Sequence, residues 1–269
     1  MTFLTVAVIV GLGLAAIAAA ASGVFLVRYV EGGFSKVCAA FAACSLAFTF
    51  SYIAVDFARG LRTQARSARP ELPPGFVYVP GTVDTKLRYA GPDNLTGQVV
   101  DGYRADDVLI LRADPALALQ QVQDDLAEDG LGLQVSDGYR PARADRFLVS
   151  WTRSPDTSTK AEHYPDLDKP QLVELGYLQS PSKHTSGYVV DVTLVDLDTG
   201  EPLDLGSPID FFGAVSRPDA TGLSGQQQRH RATLSKVMRA YGFQQDRLVW
   251  WQFSYPPGSG AEPEDFEIR

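Results

Sequence analysis

The sequence predicts an α+β domain with a central antiparallel sheet, carried behind two transmembrane helices. Three observations lead there. The first 58 residues are almost uncharged and contain two long apolar runs. From residue 76 onward, short strand-like segments mix with helical ones but without the regular βαβ alternation of a parallel sheet. The turn Asp198-Thr-Gly-Glu201 is of the kind that joins antiparallel strands.

In chain order, Phe3 to Val27 is an uncharged apolar run and Val37 to Val55 a second. Each is long enough to cross a ~30 Å hydrocarbon core as a helix. The link beginning at Arg28 permits only a tight hairpin. Small residues (Ala15, Ala16, Ala18 and Ala19 on one run, Ala39, Ala40 and Ala43 on the other) allow close backbone approach in lipid. A cleaved signal peptide is the rival reading, because Ala15 to Ser22 offers small residues. The missing basic n-region and the length of the run favour the hairpin. Arg59, Arg62, Arg66 and Arg69 outnumber Arg28 and Lys36, so the positive-inside rule puts both termini and the soluble domain in the cytoplasm of a two-pass plasma (inner) membrane protein. Membrane lipid is therefore one expected partner. Residues 59–75, ending Pro70-Glu-Leu-Pro-Pro-Gly75, read as a tether. Residues 76–269 read as the soluble domain. Cys38 and Cys44 both fall in the second apolar stretch, so no disulfide framework supports that domain. The net charge of −8, with no Lys/Arg-rich run to offset it, argues against a nucleic-acid partner.

Within the soluble part, Phe76 to Pro80 and Val108 to Arg112 are strand-like. Pro115 to Asp129 has helical spacing at Leu117, Leu119, Val122 and Leu126, and stops near Gly130. Leu131 to Val135 is a strand leading into the turn-like cluster Asp137-Gly-Tyr-Arg-Pro141. Ala142 to Thr152 is a helix. Tyr188 to Leu197 is a Val-rich strand, and Glu201 to Leu205 returns after the turn. Gln226 to Tyr241 is a helix ending at Gly242, and Leu248 to Tyr255 is an aromatic strand.

His184 lies in Ser182-Lys-His-Thr-Ser-Gly-Tyr-Val-Val-Asp191. Asp191 interrupts a valine run, where an unpaired carboxylate is costly to bury. A lone His and a lone Asp are usually satisfied by ordinary structure. Together, one before a Gly turn and one on the following strand, they can converge on Zn²⁺.

The pattern Ser-x-His-x-x-Gly-x-x-x-Asp resembles the first zinc-binding motif of the VanX-type D-alanyl-D-alanine dipeptidases. Tyr89-Ala-Gly-Pro-Asp-Asn-Leu-Thr-Gly97, Asp137-Gly-Tyr-Arg-Pro141, Tyr164-Pro-Asp, Glu174-Leu-Gly-Tyr177, Asp191-Val-Thr-Leu-Val-Asp196, Thr199-Gly-Glu and Ile209-Asp-Phe-Phe212 resemble family segments in the same order, over about residues 80 to 255. The resemblance implies a zinc D-Ala-D-Ala-peptidase fold. It implies that His184 and Asp191 are two of three Zn²⁺ ligands, and that Arg140 stabilises the oxyanion of the transition state. It further implies that Tyr89 and Ser182 line the dipeptide pocket and that Asp210 holds the ammonium group of D-Ala-D-Ala or another amino-terminated peptide. Core packing and a turn cap are the plain structural readings of Tyr89 and Asp210.

The family's last motif is Glu-x-Trp-His or Glu-Trp-Trp-His, its Glu the general base and its His the third zinc ligand. The matching segment here is Val249-Trp-Trp-Gln-Phe253, with the tryptophans and Phe253 setting the register. Val249 thus stands at the base position and Gln252 at the ligand position. Valine cannot move a proton, and acid–base catalysis is typically worth ~10²–10⁴-fold. A glutamine carbonyl is a weak neutral ligand beside imidazole. His163 and His230 sit among polar neighbours and read as surface residues. Glu201 and Asp246 are carboxylates that nothing in the sequence places at the site. The expectation is a membrane-tethered dipeptidase relative with impaired chemistry that still binds peptide. The alternative is a working zinc dipeptidase with a replacement base and ligand.

Overall fold

The structure, a computed structural model, describes residues 69–256 and 262–269. The expected membrane hairpin, residues 1–58, and most of the tether lie outside the described residues. Among the described residues, no helix is long and apolar enough to cross a membrane. Glu71–Arg269 is one structural unit.

Among the described residues, seven strands and five α-helices follow one another. β1 (Phe76–Tyr78) and β3 (Ile110–Arg112) pair antiparallel as a two-stranded ribbon. The main sheet has the order β2 (Asp84–Thr85), β4 (Leu131–Asp137), β5 (Val189–Asp196), β7 (Gln252–Ser254) and β6 (Gln244–Gln245). Its body is antiparallel as expected, but edge strand β2 runs parallel to β4. Two strand expectations shorten. The segment after Glu201 meets β5 only around the Val195–Pro202 bridge, where the Asp196 N–H donates to the Glu201 carbonyl at 3.0 Å and the Leu203 N–H to the Leu194 carbonyl at 2.9 Å. Leu248 to Trp251 is not strand. The Trp250 N–H turns away to the Ser216 carbonyl at 2.9 Å, and its indole N–H reaches Ser207 Oγ at 2.9 Å.

The helices are α1 (Ala113–Glu128), α2 (Ala142–Trp151), α3 (Lys160–His163), α4 (Lys169–Glu174) and α5 (Gly225–Ala240). In α1, Ala116, Leu119, Val122 and Leu126 form the buried stripe that the 3.6-residue period demands. In α5 the stripe is Leu234, Val237 and Met238, and Ser224 opens the helix with a capping box closed by Gln227. Both helices bury these stripes in the main core with Leu133, Val135, Val190, Val192, Leu194 and Phe253. β5 is buried along nearly its whole length. Val190, Val192 and Leu194 feed that core, and the odd-numbered residues, Asp191 among them, point to the opposite face.

A second core unites Phe76, Tyr89, Tyr103, Tyr139, Leu148 and Ile268. It is closed by the C-terminal segment, which the sequence did not single out. Phe266 stacks on Tyr139 at 4.1 Å, the Glu264 N–H donates to the Thr185 carbonyl at 3.2 Å, and the Ala142 N–H donates to the Glu264 carbonyl at 2.9 Å. The segment therefore ties the start of α2 to the turn that carries His184. That turn, a 3-10 stretch Lys183–Ser186, ends at Gly187 in the left-handed region (φ 77°), where a Cβ would also collide with the Phe76 ring.

Asp265 anchors the segment through Arg143 Nε at 2.9 Å and Arg146 Nη2 at 2.8 Å. Partial burial disfavours its charge, but Arg146 and the Arg143 backbone and side chain outweigh burial and hold the carboxyl down to about 2. A carboxyl lowered from its usual ~3.9 contributes stability above that value and loses it as pH falls through its folded pKa. Denaturation profiles should therefore show wild type losing stability between ~pH 4 and ~pH 2. Asp265→Asn should be less stable at neutral pH and lack that part of the acid loss. Parallel profiles for the two proteins would contradict the assignment.

Candidate metal and peptide site

β4, β5 and β7 bring three polar side chains into one rung. Asp137 pairs with Asp191, after an irregularity at Ser136, and Asp191 pairs with Gln252. His184 comes down beside the rung from the turn preceding β5. Its Nδ1 lies 2.8 Å from the Gly138 carbonyl, which can only accept, so this nitrogen carries a proton. Its Nε2 faces Gln252 Oε1 at 3.2 Å and Asp191 Oδ1 at 3.5 Å. Asp191 Oδ1 is buried and accepts no hydrogen bond.

An imidazole lone pair, a carboxylate oxygen and an amide oxygen thus converge. Three acceptors held together in a buried place need a positive charge between them, either a proton on Nε2 or a cation. Burial disfavours a charged His184 ring, but the Asp191 carboxylate, helped by Asp137, offsets it, and the ring's pKa rises to about 9. The spacing also suits a metal. Four ligand atoms at ~2.1 Å around a tetrahedral ion are ~3.4 Å apart, close to both observed separations. The residues present therefore fit a divalent cation held by His184, Asp191 and Gln252, although one donor is a neutral amide.

Asp137, His184 and Asp191 are near enough to one another to suggest a different trio. The hydrogen bonds exclude Asp137. It lies on the Nδ1 edge of His184, at 3.6 Å, away from the edge where Asp191 sits. Its Oδ1 accepts from Tyr103 Oη at 2.7 Å and from the Gly138 N–H, and its Oδ2 accepts from Arg140 Nε at 2.9 Å and Nη2 at 2.7 Å. Asp137 is an arginine holder. Asp145, fully buried on α2, grips the other side of Arg140 with a 3.3 Å contact to Nη1 and also accepts from the Ser182 N–H. Burial works against the guanidinium charge, but Asp137 and its neighbours push its pKa higher still. The Asp pair uses three of the five N–H groups and fixes the plane of the fork.

These groups surround one cavity of about 200 Å³, lined by Tyr89, Arg140, Ser182, His184, Asp191, Asp210, Val249 and Gln252 among others. The eight residues that the resemblance matches to site positions, Tyr89, Arg140, Ser182, His184, Asp191, Asp210, Val249 and Gln252, all line it. Asp210 adopts a left-handed backbone (φ 64°), which Asp tolerates better than most residues. Burial raises its pKa, against the pull of Arg88. Val249 is 5 % exposed and forms an apolar wall beside Trp251, Phe212 and Leu178. Ser182 Oγ is buried without a partner. One expectation needs correction. His163 is buried, not superficial, and its Nδ1 lies 3.0 Å from the Asp210 backbone carbonyl, bracing that residue's backbone. Asp246 does reach the cavity, because the β6–β7 hairpin folds it back against Gln252, whereas Glu201 is exposed on the β5 turn. His230 is half-buried and bonds the Asp204 carbonyl, away from the cavity.

The D-Ala-D-Ala dipeptidase family model matches residues 77–264. This chain belongs to the D-Ala-D-Ala dipeptidase family. It is 39 % identical over 167 residues to a D-alanyl-D-alanine dipeptidase of Enterococcus faecalis, covering 62 % of this chain and 82 % of that one. It is 36 % identical to those of Enterococcus faecium (62 % and 82 % covered) and Streptomyces coelicolor (62 % and 83 %). Among solved structures it is similar to the LdcB LD-carboxypeptidase, at 15 % identity and TM-score 0.39 over 71 % of this chain and 72 % of that one. A D,D-pentapeptidase from a vancomycin-resistance cassette, in complex with Zn(II), matches at 14 % identity and TM-score 0.36 over 58 % and 79 %.

For this family member, Asp137→Ala should leave the buried Arg140 guanidinium with Asp145 alone. Removing one partner of a buried pair costs about 3–5 kcal/mol, and the remaining carboxylate sets the expectation at about 3. A urea midpoint shifted by the equivalent of less than about 1 kcal/mol would show that Asp137 is not the holder described.

Proposed function

We propose that this chain is a membrane-anchored D-alanyl-D-alanine dipeptidase-like protein that binds a small amino-terminated peptide and hydrolyses it weakly or not at all. The N-terminal hairpin read from the sequence would keep the domain at the cytoplasmic face of the plasma membrane. The observation that carries the reading is the contrast within one cavity. Asp210, Tyr89, Ser182 and Arg140 all face it, yet the base position is the apolar wall of Val249.

The cavity, at about 200 Å³, is below the ~300–1,000 Å³ of drug-sized sites and suits a ligand of dipeptide size. Asp210 would receive the ammonium group, whose charge relieves the burial that now raises the carboxyl's pKa. Ser182 Oγ, with no partner among the described residues, is free to bond the peptide. Arg140, its plane fixed by two aspartates, would point its remaining N–H groups at the scissile carbonyl. A bound zinc or similar cation would polarise that carbonyl and supply an activated water. Val249 cannot take the proton from that water or return it to the leaving amine. An active enzyme remains the alternative, with Asp246 as the pocket carboxylate that would have to replace the base.

Calorimetry on the full chain with D-Ala-D-Ala tests the binding. A Kd of ~1 mM or tighter is expected, since that is the scale of a few paired polar groups. Asp210→Ala should weaken it at least tenfold. No heat at millimolar dipeptide would sink the binding claim. Hydrolysis tests the impairment: Val249→Glu combined with Gln252→His should raise turnover by ~10²–10⁴-fold. Wild-type turnover that the double substitution leaves unchanged would favour the active alternative.

A further inference from the structure

Asp246 belongs to no motif of the resemblance, yet it is placed on Gln252 by the chain itself. In the β6–β7 hairpin its N–H donates to the Gln252 carbonyl at 2.8 Å, so the two side chains are cross-strand neighbours. Asp246 Oδ2 lies 3.5 Å from Gln252 Nε2, and Oδ1 is occupied by the Leu248 N–H at 2.8 Å. Both Asp246 and Gln252 line the cavity.

A glutamine amide has nearly the same shape either way round, but its two ends differ in polarity. A carboxylate accepts and never donates when ionised. Beside Asp246, only one orientation is favourable, with NH₂ toward the carboxylate. The flipped amide would set two oxygens against each other. The carboxylate therefore turns Gln252 Oε1 toward His184 Nε2 and Asp191 Oδ1, as observed at the 3.2 Å His184 contact. An amide whose NH₂ faces an anion is also polarised, with more negative charge on its oxygen. That strengthens an otherwise poor ligand. Lys183, mostly exposed and 3.9 Å from Asp246, tempers the carboxylate without displacing it.

We propose that Asp246 is a positioning residue that holds Gln252 Oε1 as the third donor, with His184 Nε2 and Asp191 Oδ1, for a divalent cation. The proposal rests on the metal reading of the cavity but not on peptide binding, so it stands or falls separately from the peptide titration. The donor set has one nitrogen and two oxygens, harder than a two-imidazole set, and so should discriminate less sharply for zinc over oxygen-preferring ions.

The experiment is a Co²⁺ titration of chelator-stripped full-length protein, read by visible absorption, with Zn²⁺ competition as a second readout. Wild type, Asp246→Asn, Gln252→Ala and the double variant form a cycle. Asparagine keeps the Leu248 turn bond while removing the charge that sets the amide, and thermal melts confirm that each variant is folded. Outer-shell partners of metal ligands typically contribute ~10–100-fold in affinity. Asp246→Asn should raise the Co²⁺ Kd about tenfold when Gln252 is present and leave it unchanged when residue 252 is alanine. Equal weakening in both backgrounds would mean that Asp246 acts only as a distant charge and would overturn the proposal. No weakening in either, or no Co²⁺ bound by wild type, would overturn it as well.

Discussion

The strand register that sets Asp137, Asp191 and Gln252 side by side is the constraint on which the site depends. A one-residue slip in a strand sends every side chain to the opposite face. If β5 slipped against its neighbours, Asp191 would enter the apolar core and Val190 or Val192 would face the cavity. The register is held from the core side. Val190, Val192, Leu194, Leu133 and Phe253 pack under α1 and α5, so the apolar face decides where the polar rung lies. Burial on one side of the sheet thus fixes chemistry on the other.

The rung is divided by the imidazole into two halves with different tasks. On the Nδ1 side, Asp137 and the Gly138 carbonyl meet donors: Tyr103, the His184 ring and Arg140. Every strong acceptor there has a partner, and the outcome is a rigid arginine. On the Nε2 side, Asp191 and Gln252 present acceptors to an acceptor. That half is electrostatically incomplete without a proton or a metal ion. Proteins pair buried polar groups as a rule, so the incomplete half beside a complete one is where a proton or a cation is required.

Much of this was legible in the sequence, for physical reasons that also explain the rest. β5 and α1 announce themselves by composition and period, because each buries a stripe. The pocket residues were found by ordered resemblance, a pattern carried by short segments. Asp137 falls within a turn-like cluster of the sequence, but its task as arginine holder depends on pairing with β5, more than fifty residues away. His163 has polar sequence neighbours, and only the fold shows that its ring packs behind Asp210. The C-terminal segment has no period at all. It is held by backbone bonds to Thr185, Ala142 and Gly102, by the Phe266 ring stacked on Tyr139 and by the Asp265 ion pairs with Arg143 and Arg146. Asp246 could not be placed until the β6–β7 hairpin was known, since six residues separate it from Gln252 along the chain.

Under the proposed function, Val249 and Gln252 are electrostatically linked substitutions. The cavity already contains Asp191 and Asp210, with Asp246 at its edge. A glutamate at 249 would add a further carboxylate to a buried place, and like charges sharing such a site force one of them to bind a proton. A firmly held divalent cation offsets that repulsion and keeps the base ionised. With a neutral amide in place of imidazole, the cation is held less firmly and a base at 249 would spend more time protonated. Valine removes the repulsion altogether and gains apolar contact with Trp251 and Phe212. Each substitution therefore makes the other less costly, while Arg140, held by its own aspartates on the far side of His184, is left untouched by both.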